Sequence, residues 1–148
     1  MRIIAGRFRG IRLAAVGKGD QAAHLRPTPD RVRESLFNML GSSFGDPVPG
    51  ARVLDLFAGT GALGLEALSR GADMAVFVDS GAAAARLLNQ NIDKTRTSDA
   101  TQVIRRDAMT LGQAPGDGFD LIFLDPPYGK GLGAKALTSA VAGGWIAA

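Results

Sequence analysis

The sequence predicts an α/β domain built on a parallel sheet. From residue 51 onward, short runs rich in Val, Ile, Leu and Phe alternate with helical patterns, the arrangement that produces parallel strands joined by right-handed crossovers. Each of these runs also ends close to a glycine turn or an aspartate, and ligands of such sheets gather beyond the carboxyl ends of the strands.

The opening stretch "RIIAGRFRGIRLAAV" alternates apolar and basic residues around Gly6 and Gly10, which predicts a short β-hairpin with arginines on one face. In "RPTPDRVRESLFNMLG", Thr28 or Asp30 is placed to cap a helix ended by Gly41. Val32, Leu36, Phe37, Met39 and Leu40 fall on one side of it. The loop "SSFGDPVPG" divides the chain into an N-terminal arm, residues 1–50, and a core, residues 51–148. In the core, "RVLDLF" reads as a strand, "AGTG" as a tight turn and "ALGLEALSR" as a helix stopped by Gly71. "MAVFVD" is the second strand and "AAAARLLNQNIDK" the second helix of the core. "TQVIRR" and "FDLIFLD" are the third and fourth strands, and "AKALTSAVA" begins a further helix. Phe57, Asp79, Asp107 and Asp125 then lie where strands give way to loops.

Composition narrows the chemistry. With 46% apolar and 21% charged residues, the 148-residue chain has the balance of one soluble domain. Zero cysteines and one histidine argue against a disulfide framework, thiolate catalysis and a zinc site, so no metal is expected. No apolar run is long enough to span a bilayer, and "MRIIAGRFRG" lacks the apolar core of a signal peptide. A cytoplasmic location without membrane attachment is the expectation. Residues 1–33 carry a balance of +6 and the remainder −3, a basic arm on a mildly acidic body that points to an anionic partner such as nucleic acid.

Gly59-x-Gly61-x-x-Gly64 matches the nucleotide-binding turn, in which glycines admit a ligand close to the backbone beside a helix N-terminus. Thr60 sits inside this turn and Phe57 at its entry. Asp79, twenty residues after Gly59, is placed for the two hydroxyls of a ribose. The pattern leaves NAD and S-adenosylmethionine open. Asp55 shifts the balance, because a carboxylate buried beside a pyrophosphate is repelled while an ammonium and a sulfonium suit it. Asp107 is positioned either for an adenine amino group or as a helix N-cap.

"DPPY", residues 125–128, stops an apolar strand with two residues unable to donate to a ladder. A planar exocyclic amine is a poor nucleophile because its lone pair is delocalised. Hydrogen bonds from it to the Asp125 carboxylate and the Pro126 carbonyl would draw the nitrogen toward tetrahedral geometry and stabilise its developing charge. Pro126 and Pro127 stiffen the loop, and Tyr128 offers a ring on which a base stacks. The competing reading is a plain turn in which Asp125 caps and Tyr128 packs.

Taken together, "MRIIAGRFRG", "RPTPDRVRESLFNML", "VLDLFAGTGALGLEALSRGA" and "FLDPPYGKG" resemble the RsmD-type 16S rRNA guanine-N2 methyltransferases over nearly the whole chain. The resemblance implies a Rossmann-like class I methyltransferase fold, S-adenosyl-L-methionine as cofactor, and 16S rRNA in small-subunit assembly particles as substrate. It puts Asp55, Phe57, Gly59, Thr60, Gly61, Asp79 and Asp107 around the cofactor, Asp79 standing where the family often has Glu. Asp125, Pro126, Pro127 and Tyr128 form the methyl-acceptor site. Arg26, Pro27 and Thr28 begin the "RPT" element over the cofactor or base, and Arg7, Arg9, Arg12, Arg31 and Arg33 are candidate phosphate contacts. The family sheet has seven strands in the order 3-2-1-4-5-7-6, of which the sequence supplies four in the order 3-2-1-4. Either the chain is a shortened form or a partner covers the open edge of this sheet, and the chain is expected to be aggregation-prone or to dimerise through the exposed fourth strand. A DNA amino-methyltransferase and a catalytically incomplete cofactor- or RNA-binding form are the alternative readings.

Overall fold

A computed structural model describes residues 1–15, 28–126 and 131–147. Arg26, Pro27, Pro127 and Tyr128, expected at the site, lie outside the described residues. The elements are helix α1 (Asp30–Ser43), strand β1 (Arg52–Leu56), α2 (Ala62–Ser69), β2 (Met74–Val78), α3 (Ala82–Thr95), β3 (Thr101–Ile104), β4 (Leu121–Leu124) and α4 (Leu132–Ala142). The four strands form one parallel sheet in the order β3-β2-β1-β4, as the alternating pattern predicts.

Successive side chains of a strand point to opposite faces, and that alternation divides the core in two. Val53, Ala75, Phe77 and Phe123 face a cluster built with α1, α2, α3 and the N-terminal segment. Leu54, Leu56, Val76 and Val78 face the other, where Ala136 and Ala140 of α4 and Trp145 are fully buried. The Trp145 indole donates to the Gly112 carbonyl at 2.8 Å and stacks on Phe119. Beyond α4, Ile146 makes a parallel bridge with Phe119 just ahead of β4.

The N-terminal segment turns back on itself as the expected short hairpin: Arg2 and Arg12 form an antiparallel bridge, Ile3 N–H donates to the Ile11 carbonyl and Leu13 N–H to the Met1 carbonyl, each at 2.9 Å. Ile3 and Leu13 are buried in the first cluster while Arg2, Arg7, Arg9 and Arg12 are exposed. The turn docks on the end of α2. Arg7 N–H donates to the Ser69 carbonyl at 2.8 Å, and the Ser69 hydroxyl donates to the Ala5 carbonyl at 2.6 Å. A Cβ on Gly6 would sit 2.0 Å from the Ser69 carbonyl oxygen, so only glycine allows that approach.

Helix α1 differs from expectation at both ends. Its N-cap is Pro29 and no side chain caps it; the Thr28 hydroxyl is turned elsewhere. It runs two residues past Gly41 to Ser43, where Ser42 bonds back to the Asn38 carbonyl at 2.9 Å. Phe37 is buried against Phe123, yet Val32 and Met39 of the predicted apolar side remain 53% and 49% exposed. They border a groove of about 760 Å³ between α1 and β4 that reaches Thr28 and Asp125. Among the described residues no helix is long and apolar enough to cross a membrane.

Candidate functional site

The register brings the chemistry to one rim. Leu56 pairs with Val78 and with Leu124, and Val78 pairs with Ile104, so all four strands end on the same row. Phe57, Asp79 and Asp125 each stand one residue beyond it. Phe57 has a left-handed backbone (φ 57°), unusual for a residue with a Cβ, and it turns the chain sharply out of β1. Gly59 and Gly61 continue the turn at φ 58° and 82°. A Cβ on Gly61 would meet Leu88 Cδ1 at 2.3 Å, and one on Gly64 would meet Phe77 Cε1 at 2.4 Å. The third glycine of the motif thus sets the close packing of α2 on the sheet.

Two carboxylates organise this turn. Asp79 accepts from Gly59 N–H through Oδ2 and from Gly81 N–H through Oδ1, each at 2.9 Å, which ties the loop after β1 to the loop after β2. Asp55 is buried, and its Oδ2 accepts from Gly64 N–H at 3.1 Å. Burial pushes the Asp55 carboxyl well above the usual carboxylate range; Gly64 N–H opposes this, and the negative charges of Asp125 and Asp79 add to it. A buried acid facing two further acids is a donor set suited to a cation. That chemistry, together with glycines at the turn, fits a ligand that is positively charged and carries ribose hydroxyls.

Other expected residues fall out differently. Thr60 lies in the turn, but its hydroxyl is directed to the Met1 sulfur at 3.7 Å and its carbonyl accepts from Asn91 at 2.8 Å. Asp107 caps the 3₁₀ turn Ala108–Thr110 through Met109 N–H at 2.9 Å, on the exposed rim past β3. Asp125 is exposed, and its Oδ2 accepts from the Thr28 hydroxyl at 3.3 Å. Pro126 follows, with its Cγ 3.6 Å from where a Cβ on Gly133 of α4 would stand. Arg7, Arg9, Arg12 and Arg31 are exposed, as contacts to an outside partner require.

Arg33 is the correction. It is fully buried, so it cannot reach a phosphate on a partner. Its guanidinium pairs with Glu66 at 3.1 Å and with Asp30, and donates to the carbonyls of Arg2 at 2.9 Å and Thr28 at 3.4 Å. Glu66 is equally buried and accepts from Ile4 N–H, Ala5 N–H and the Arg70 side chain at 2.9, 3.1 and 2.8 Å. Sequence reasoning missed Glu66, although one acid inside the apolar helix "ALGLEALS" was the available signal. It also missed Asn91, buried in α3, whose amide exchanges hydrogen bonds with the backbone of Ala14 and holds the Thr60 carbonyl.

The family model described as Conserved hypothetical protein 95 matches residues 1–148. The chain belongs to this family. The chain is also similar to a Bacillus subtilis protein named as a candidate rRNA methyltransferase, YlbH, and to the Escherichia coli Ribosomal RNA small subunit methyltransferase D. The chain is 42% identical to the first over 95% of its own length and 73% of that protein's. It is 38% identical to the second over 99% of its length and 70% of that protein's. A solved Escherichia coli structure, described as a candidate methyltransferase, yhhF, superposes with a TM-score of 0.79 at 35% identity, covering 99% of this chain and 75% of that one. The RsmD-type resemblance is thus a family membership, and the fold is that of the Rossmann-like class I methyltransferases.

Proposed function

We propose that this family member methylates the exocyclic N2 amine of a guanine in small-subunit 16S rRNA, with S-adenosylmethionine as methyl donor. The observation that carries the reading is the rim itself. Asp55, Asp79 and Asp125 converge at aligned strand ends, and the burial and mutual repulsion that burden Asp55 are relieved by a cation. The relatives' names supply the substrate class.

When bound, S-adenosylmethionine supplies an electrophilic methyl group and leaves as S-adenosylhomocysteine with the electron pair of the broken carbon–sulfur bond. Asp55 faces the cationic end. Asp79 keeps lone pairs beyond those taken by Gly59 and Gly81 and accepts from the ribose hydroxyls. Asp107 has one oxygen on Met109 N–H and the other free of that bond for the adenine amino group. On the acceptor side the Asp125 carboxylate and the Pro126 carbonyl accept from the guanine amine, and Asp125 takes up the proton that the nitrogen sheds on gaining the methyl. Pro127 and Tyr128, next in the sequence, carry the loop-stiffening and base-stacking roles that the resemblance implies.

The RNA comes presented in a small-subunit assembly particle, met by Arg7, Arg9, Arg12 and Arg31. Arg2 and Arg12 face one another across the N-terminal bridge, where like charges repel, so a bound phosphate backbone would relieve that pairing too. Labelled S-adenosylmethionine offered with small-subunit particles, naked 16S rRNA and duplex DNA tests the reading. Transfer to a guanine of the particle, abolished in Asp125→Ala with S-adenosylhomocysteine binding retained, is the expected result. Transfer to DNA instead, or loss of cofactor binding together with transfer in Asp125→Ala, overturns it.

A further inference from the structure

Thr28 lies ahead of α1, and Asp125 at the end of β4, 97 residues further on. Their side chains meet: the Thr28 hydroxyl donates to Asp125 Oδ2 at 3.3 Å. An ionised carboxylate only accepts, so the direction of this bond is fixed. The hydroxyl has no competing task in the helix, because α1 begins on Pro29 without any side-chain cap.

The other end of Thr28 is also held. Its carbonyl accepts from Arg33 Nε at 3.4 Å, and Arg33 in turn is pinned by Glu66 of α2 at 3.1 Å with both side chains fully buried. A continuous chain of contacts therefore runs from α2 through Glu66, Arg33 and Thr28 to the carboxylate on the acceptor side. Helix α2 is the same helix whose Gly64 N–H holds Asp55 on the cofactor side, and Gly64 and Glu66 are two residues apart. One rigid element thereby registers both halves of the site.

We propose that Thr28 is a positioning residue, whose hydroxyl fixes the Asp125 carboxylate so that Oδ1 is presented to the incoming amine, and that Arg33 and Glu66 hold Thr28 in place for this task. The proposal rests on the reading of Asp125 as the acceptor-site carboxylate. A carboxylate on an exposed strand end rotates freely unless something holds one oxygen, and catalysis is sensitive to small misplacements of a reacting group. Thr28 acts through Asp125 and takes no proton from the amine itself.

The test compares wild type with Thr28→Val, which keeps shape and removes the donor, and Thr28→Ser, which keeps the donor. Two measurements are made on the full chain: steady-state methyl transfer to small-subunit particles, and hydrogen–deuterium exchange of backbone amides in residues 121–126. Thr28→Val is expected to lower kcat about 10- to 100-fold, with KM for the particle and the dissociation constant for S-adenosylhomocysteine within about twofold of wild type. Exchange around Asp125 should quicken in Thr28→Val, while Thr28→Ser restores both kcat and protection. An unchanged exchange profile in Thr28→Val, a rise in KM alone, or failure of serine to rescue overturns the positioning role. If wild type transfers no methyl yet exchange responds to the hydroxyl as described, the positioning of Asp125 stands and the methyltransferase reading falls. Active wild type with no response in kcat or exchange leaves the function standing and removes Thr28 from it.

Discussion

Replacing Glu66 by leucine should cost this fold about 3–5 kcal/mol, the usual loss when one partner of a buried ion pair is removed. Glu66 and Arg33 are both fully buried and 3.1 Å apart, so in Glu66→Leu the guanidinium keeps only Asp30, which is 40% exposed, as a charged partner. Leucine fills most of the vacated volume, which keeps any cavity contribution small. The amides of Ile4 and Ala5 also lose their acceptor, but both residues are partly exposed and water can replace it. At about 2–4 °C per kcal/mol for a chain of this size, the melting midpoint should fall by roughly 6–20 °C. Urea titration and thermal melts at neutral pH measure it. Adding Arg33→Met removes the stranded charge, so the double variant should recover part of the loss, with a coupling of about 1–3 kcal/mol. A loss below about 1 kcal/mol in Glu66→Leu, or strict additivity in the cycle, would refute the buried pair as the anchor of the N-terminal segment.

Three further outcomes follow from the same geometry. Asp55 has a raised folded-state pKa, so its stabilising contribution is complete below the unfolded carboxylate value and is lost as pH rises through the folded value. Asp55→Asn should therefore melt higher than wild type at neutral pH, with the gap closing in acid, while S-adenosylmethionine binding weakens about 10- to 100-fold by calorimetry; a variant that melts lower at neutral pH contradicts the assignment. Gly64→Ala forces a methyl to 2.4 Å from Phe77 and should cost about 1–3 kcal/mol in urea denaturation together with weakened cofactor binding; an unperturbed variant would mean that α2 shifts freely. Among the described residues β4 is an outer strand whose bridged neighbour is confined to Phe119 and Ile146, and we expect concentration-dependent association through Leu121–Leu124. Monodisperse monomer across the accessible concentration range in light scattering would dismiss it.

Much of the sheet was legible because buried parallel strands are written as unbroken apolar runs. "MAVFV" and "LIFL" read as strands from sequence alone, and the turn glycines mark β1's end by the left-handed backbone angles they adopt at least cost. The N-terminal segment was legible only in outline. An alternating apolar and basic pattern names the hairpin, and it forms around the Arg2–Arg12 bridge, but only the fold shows that Ile3 and Leu13 are buried in the cluster with α2. Arginine identity was the weakest guide, since Arg31 and Arg33 look alike in "DRVRES" while one is exposed and the other fully buried. Their difference depends on whether an acid from a distant helix faces them.

The alternation of apolar runs, the glycine turn and the acids at strand ends were enough to determine the parallel sheet and the rim on which that turn and those acids meet. Local pattern suffices there because strand period and turn sterics act between near neighbours. The tertiary structure alone decided that Glu66 gathers the N-terminal segment, that Arg33 is a strut, and that Thr28 reaches Asp125. Each of these joins residues between 33 and 97 positions apart. What fixes the first two is the burial of the Arg33 and Glu66 charges, which is tolerated only where folding brings their partners within hydrogen-bond distance, and Thr28 is placed through its carbonyl's bond to Arg33.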